Sequence, residues 1–130
     1  TFVDDFYNAF YVPPTRMLSG VAHRWLGNSG LFTAVVSVDS ASTAQWMLEL
    51  RLSDLYVDRR HQGEHVAVAG VEMTLLELGK SGPKAVFEQR YLESEPAVER
   101  NGDAYVEAWG LALGRVLSRL ENDLAKALDR

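Results

Sequence analysis

The stretch that decides the fold runs from Trp46 to Leu92, WMLELRLSDLYVDRRHQGEHVAVAGVEMTLLELGKSGPKAVFEQRYL. In its first run Trp46, Leu48, Leu50 and Leu52 point one way while Glu49 and Arg51 point the other, the period of a half-buried strand. The phase slips near Ser53, after which Leu55 and Val57 carry the apolar pattern on, and such a slip predicts a bulge or edge bend. His61-Gln62-Gly63-Glu64 reads as a turn. Ala67, Ala69, Val71, Met73 and Leu75 then alternate against Glu72 and Thr74. Lys80-Ser81-Gly82-Pro83 closes a hairpin into a strand around Ala85 to Leu92, where Phe87 and Tyr91 share the inner face opposite Glu88 and Arg90. Three alternating runs joined by short turns predict an antiparallel meander. Its polar face, Glu49, Arg51, Glu72, Thr74, Glu88 and Arg90, reads as cross-strand ion pairing in water.

Upstream, Phe2 to Val12 is rich in aromatic and β-branched residues and stops at Pro13-Pro14, which reads as a strand or extended entry segment. Met17, Leu18, Val21, Ala22, Trp25 and Leu26 then repeat at four-residue spacing, one apolar stripe along a helix, with proline at its start and Gly27-Asn28 at its exit. Leu31 to Val38 alternates again as a strand, and Asp39 to Thr43 is a loop. Downstream, a loop from Glu93 to Gly102 that includes Pro96 leads into a long amphipathic helix, marked by Val106, Trp109, Leu113, Val116, Leu120, Leu124 and Ala127. The sum is an α+β fold: a two-layer sandwich, with a mainly antiparallel sheet of about five strands and two amphipathic helices on one face.

At 130 residues the chain fits one domain spanning 1–130, able to bury roughly two-thirds of its unfolded surface. Hydrophobic residues make up 47% and charged ones 24%, a globular rather than a disordered composition. The net charge of −5, with no Lys/Arg run, disfavours nucleic acid, whose phosphates would be repelled. With no cysteine there is no thiolate chemistry. No apolar run approaches the ~20 residues that span a bilayer. The chain opens at Thr1 without a charged-then-apolar leader, so the expectation is a start from which an export signal or anchor has been removed.

Catalytic groups are hard to find. His23 falls away from the first helix's apolar stripe and reads as solvated surface, while His61 and His65 flank a turn beside Arg59, Arg60 and Glu64, which a polar hairpin tip explains better than a metal clip. Asp4 and Asp5 would face opposite ways on a strand. Ser19 and Ser29 precede glycines but stand in no G-x-S-x-G motif. The expectation is a non-enzyme without cofactor or metal. Two features point to binding instead. Phe6, Tyr7, Phe10 and Tyr11 put aromatics on both faces of the first strand, and with Pro13 and Pro14 they form the expected partner surface. An acyl chain, if one is bound, would lie between sheet and helices, lined by Trp25, Trp46, Phe87 and Trp109.

The stretch DDFYNAFYVPPTRMLSGVAHRWLGNSGLFTAVV carries Asp5, Tyr7, Pro13, Pro14, Leu26, Ser29, Gly30, Phe32 and Val35, and it is followed by the strand MLELRLSDLYVD and the closing helix AWGLALGRVLSRLENDLA. In order and spacing, over nearly the whole chain, this resembles the ABC-type transport auxiliary lipoprotein component family. The resemblance implies a Gram-negative envelope lipoprotein that faces the periplasm from a membrane, the outer one by expectation, held there through an N-terminal lipidated cysteine. It implies as partners an Mce-domain protein and an ABC permease and ATPase moving lipid or other hydrophobic cargo in support of membrane integrity, and it implies no catalytic residues. The alternative expectation is a stand-alone periplasmic carrier of lipid or another small molecule.

Overall fold

A computed structural model describes residues 14–32, 44–60 and 63–128, with the side chains of 14–17 outside the description. Helix α1 spans Pro14–Gly27, strands β1, β2 and β3 span Trp46–Asp58, Val66–Gly79 and Gly82–Pro96, and helix α2 spans Gly102–Leu128. The three strands form one antiparallel sheet in the order β1-β2-β3. The meander, the two helices and the α+β class are as expected.

The sheet holds three strands among the described residues, not about five. The expected strand over Phe2 to Val12 and most of that over Leu31 to Val38 lie outside the described residues. Leu31 and Phe32 are described, and they form a bend that packs on the core. The bend has a local cause: the Ser29 hydroxyl donates to the Leu26 carbonyl at 2.7 Å and accepts from the Leu31 amide at 3.2 Å, and Gly30 takes a left-handed φ of 79°.

The described strands are long. The strands run to 13, 14 and 15 residues, well above the usual five or six. β3 continues to Pro96, through residues expected to be loop, because β2 pairs with it and α2 holds its end. Arg115 donates to Glu93 at 3.2 Å, to Glu95 at 2.8 Å and to the Ser94 carbonyl, and Arg119 donates to Glu93 at 2.7 Å. Glu93 and Glu95 stand opposite Ala69 and Ala67, so these carboxylates lie on the helix-facing side of the sheet and need cations from the helix.

Leu48, Leu50, Leu52, Leu55 and Val57 pair with Leu75, Met73, Val71, Ala69 and Ala67, and the register shifts between Leu52 and Asp54 as the sequence slip predicts. Ala67, Ala69, Val71, Met73, Leu75 and Tyr91 are buried on this face. Leu18, Val21, Ala22 and Leu26 of α1 and Leu113, Val116, Leu117, Leu120 and Leu124 of α2 close over it as one core. α2 covers β2 and β3, and α1 covers β1. Buried Ala104, Ala108 and Ala112 let the first half of α2 approach the sheet closely.

Candidate functional site

The functional question falls on the opposite face of the sheet and on its β1–β2 end. On the open face, Arg51 pairs with Glu72 across β1 and β2. Arg90 reaches from β3 across β2 to Asp54 at 2.8 Å, and the Ser53 hydroxyl donates to the same oxygen at 2.8 Å. This crossing is possible because the residue between them on β2 is Gly70, paired with Asp54 on one side and Leu92 on the other. The Arg90 bond, then the Ser53 bond, hold the Asp54 carboxyl below the usual carboxylate range. A carboxyl that titrates lower when folded contributes stability above its unfolded pKa and loses it as pH falls through the folded value. Asp54→Asn should therefore flatten the acid limb of a melting-temperature profile below about pH 4.

Beyond Gly70 lies an open cleft of about 260 Å³, lined by Tyr56, Asp58, Val66 and Val68 of β1 and β2 and by Leu92, Glu93 and Ser94 of β3, so that exposed apolar side chains stand beside carboxylates. Tyr56 and Leu92 are 45% and 50% exposed, with buried Val68 between them. Tyr56 reaches this face because the bulge at Ser53 shifts the phase, so that Leu55 and Val57 point inward. Following the alternation past Ser53 would have found Tyr56, and the Glu88/Arg90 face extended by two residues would have found Leu92. The Trp109 indole donates to the Tyr56 carbonyl at 3.0 Å, tying the end of β1 to α2.

At the same end, the first residues of β2 meet the segment leading into α2. The Ala97 amide donates to the His65 carbonyl at 2.9 Å, and His65 Nδ1 lies 2.6 Å from the Tyr105 hydroxyl. The two rings lie 5.9 Å apart, and Trp109 extends the row at 6.4 Å from Tyr105. Desolvation first, then the charges of Arg100 and Arg59, lower the His65 pKa. His65 is thus more than a polar turn residue, and only its partner forty residues along reveals this.

The expected partner residues Phe6, Tyr7, Phe10, Tyr11 and Pro13 lie outside the described residues, and Pro14 opens α1 with its side chain undescribed. Trp25, Trp46, Phe87 and Trp109 are partly buried against the core. Register places Trp46, opposite Glu77, and Phe87, opposite Leu75, near the β2–β3 hairpin, whereas Trp109 sits at the far end beside Tyr56. Trp25 donates to Glu121 at 2.7 Å, bracing α1 on α2. The cleft includes none of these four rings. Tyr91, fully buried, donates to Asp123 at 2.6 Å beneath the Arg119 guanidinium, 5.3 Å from its ring. Burial, then the Asp123 carboxylate, push its hydroxyl above the ordinary phenol range. That pair joins β3 to α2 and closes the core. His23 is exposed, as expected, and no group of His, Asp and Glu among the described residues could hold a metal ion.

No family model and no curated protein matches the chain. Among solved structures it is similar to protein XCC0632 from Xanthomonas campestris, of family DUF330, with a TM-score of 0.75 at 21% identity over 88% of this chain. Protein CT253 from Chlamydia trachomatis matches with a TM-score of 0.57 at 10% identity, over 85% of this chain and 69% of that one. A candidate lipoprotein from Caulobacter crescentus matches with a TM-score of 0.53 at 18% identity, over 68% of this chain and 71% of that one. The chain spans 63% of the length of the Xanthomonas protein. What these comparisons establish is a shared fold: the long-stranded antiparallel sheet with helices over one face is that of the DUF330 structure from Xanthomonas.

Proposed function

We propose that the chain is the periplasmic domain of an envelope lipoprotein, acting as a non-catalytic accessory subunit of an Mce-type ABC transport system for lipid or other hydrophobic cargo. The observation that carries this reading is the fold shared with the DUF330 structure over 88% of the chain, on a sequence whose motif order resembles the auxiliary lipoprotein family. The likeness to the Caulobacter protein agrees with it. In this role the domain needs rigidity and a surface rather than reacting groups. One or two acyl chains on an N-terminal cysteine would hold it at the membrane, and the cleft end of the open face would meet the Mce-domain protein.

The test is capture of the purified domain by the periplasmic Mce-domain protein of the same organism, quantified by calorimetry. Specific binding is expected. Tyr56→Ser with Leu92→Ser should weaken it by about tenfold or more, as for exposed apolar anchors at an interface, with the melting temperature unchanged. Absence of binding at high micromolar concentration, together with lipid extracted from the purified domain, would replace this reading with that of a carrier.

A further inference from the structure

Strand β3 ends the sheet among the described residues, and the phase of its ladder tells which backbone groups face outward. The Ala97 amide donates to the His65 carbonyl at 2.9 Å, and these two residues continue the register that pairs Val66 with Pro96. Hydrogen-bonded pairs alternate along an antiparallel ladder, so Glu95, Glu93, Tyr91, Gln89 and Phe87 turn their backbone groups to β2 as Ala97 does. Glu88, Arg90, Leu92 and Ser94 turn theirs outward. Two observations agree with this phase. The Ser94 carbonyl is free to accept from Arg115, and Pro96, which has no N–H, falls where the β2 ladder needs none.

That outer edge is closed at both ends and open in the middle. Pro96 and the Arg115 bond to Ser94 close one end, and the other is broken by the register shift that leaves Val86 as an extra residue between Ala85 and Phe87. Between them Glu88, Arg90 and Leu92 present backbone groups that no other backbone group meets among the described residues, with only the Gln89 side chain at 3.3 Å from the Arg90 carbonyl. A further strand completes such an edge. The side chains select which strand. Arg90 uses Nη2 on Asp54, leaving the rest of its guanidinium fork, and exposed Glu88 has no ion pair among the described residues. A second copy laid antiparallel in the same hydrogen-bonding phase opposes two carboxylates if centred on Glu88 and two guanidiniums if centred on Arg90. Centred on Tyr91, it needs the Ser94 carbonyl that Arg115 holds. Centred on Gln89, it sets each Glu88 opposite the Arg90 of the other copy, the favourable arrangement for directly opposed residues.

We propose that two copies of this chain pair through the outer edges of β3, antiparallel, with the two-fold axis at Gln89 and a Glu88–Arg90 ion pair on either side of it. The two sheets become one, with the helices of both copies on the same face. This pairing does not depend on the transport reading.

The chain has no cysteine, so a single introduced one reports the register. Gln89→Cys should oxidise to a disulfide-linked dimer, because directly opposite residues in a non-hydrogen-bonded pair stand about 4.5 Å apart at Cα, within disulfide reach. Leu92→Cys, out of register with its own copy, should stay monomeric under the same oxidation. In sedimentation equilibrium the parent chain should show a reversible dimer. Glu88→Arg and Arg90→Glu should each weaken it by about tenfold, since two like-charged pairs replace two opposite ones. An equimolar mixture of those two variants should recover the parent affinity, because both mixed pairs are again opposite in charge. Circular dichroism confirms that each variant is folded. Arg90→Glu also loses the Asp54 bond, so the cysteine variants, which leave every charge in place, read the register independently. A parent that stays monomeric up to millimolar concentration would overturn the pairing, as would a disulfide dimer at Leu92 in place of Gln89 or a mixture that associates no more tightly than either variant alone.

Discussion

Leu120→Ala is expected to remove about 2–5 kcal/mol of unfolding free energy, the cost of emptying a buried leucine site that the backbone cannot close. Leu120 is fully buried, in the α2 row with Val116, Leu117 and Leu124 that packs on Val71, Met73 and Tyr91 of the sheet. Its core neighbours are mainly aliphatic, so truncation leaves that lining without its contacts. A protein of this size has a total stability of about 5–15 kcal/mol, so the loss is a large fraction of it. Thermal melting should fall by about 10 °C or more, given a few degrees per kcal/mol. Leu111 on the same helix is 41% exposed, and Leu111→Ala should stay within about 0.5 kcal/mol of the parent, as surface substitutions do. Equal effects at both positions would mean that α2 does not pack as described.

That contrast marks what the sequence makes legible. Leu113, Val116, Leu120 and Leu124 are named by spacing alone, because a helix facing an apolar sheet must repeat its stripe every three or four residues. The alternation of β2 is equally direct, since every second residue from Ala67 to Leu75 is buried. The bulge at Ser53 is legible for the same reason: a pattern that slips by one residue must bend or lose its core face.

What spacing cannot reveal are contacts closed over long separations. Glu93-Ser94-Glu95-Pro96 carries the composition of a loop, and its pairing with Val66 to Ala69 of β2, together with Arg115 and Arg119 about twenty residues downstream, holds it as strand. Tyr91 is recognisable as inward-facing, yet its bond to Asp123 is not, and neither is the Trp25 bond to Glu121, ninety-six residues away. The candidate sites share this property. His65 reads as a turn residue until Tyr105 is placed against it, and the Tyr56–Leu92 patch emerges only when two residues thirty-six apart in sequence are set either side of Val68.

Gly70→Ala should be the most damaging single methyl group on the open face. An alanine Cβ would stand 2.5 Å from Asp54 Oδ2, 2.8 Å from Ser53 Oγ and 3.0 Å from Asp54 Cβ. The backbone there is ordinary strand, so alanine itself would gain about 0.4–1 kcal/mol from a stiffer unfolded chain. Against that, Asp54 must swing away and surrender both the Arg90 and the Ser53 bond, and the bulge that presents Asp54 must shift, which overpacking data put at about 1–3 kcal/mol. The clash wins, with an expected net loss of about 1–2 kcal/mol by denaturant unfolding. Asp54→Ala in the same chain removes the oxygen but leaves the 3.0 Å Cβ contact, so the double variant should recover part of the loss, a coupling of about 0.5 kcal/mol or more. Strict additivity would show that Gly70 is tolerated for some reason other than the Arg90–Asp54 crossing. The same substitution reaches the cleft, because Gly70 pairs directly with Leu92 and the displaced bulge carries Tyr56 with it. Gly70→Ala should therefore weaken whatever binds the Tyr56–Leu92 surface by more than its stability loss predicts, at a temperature where the variant is still fully folded.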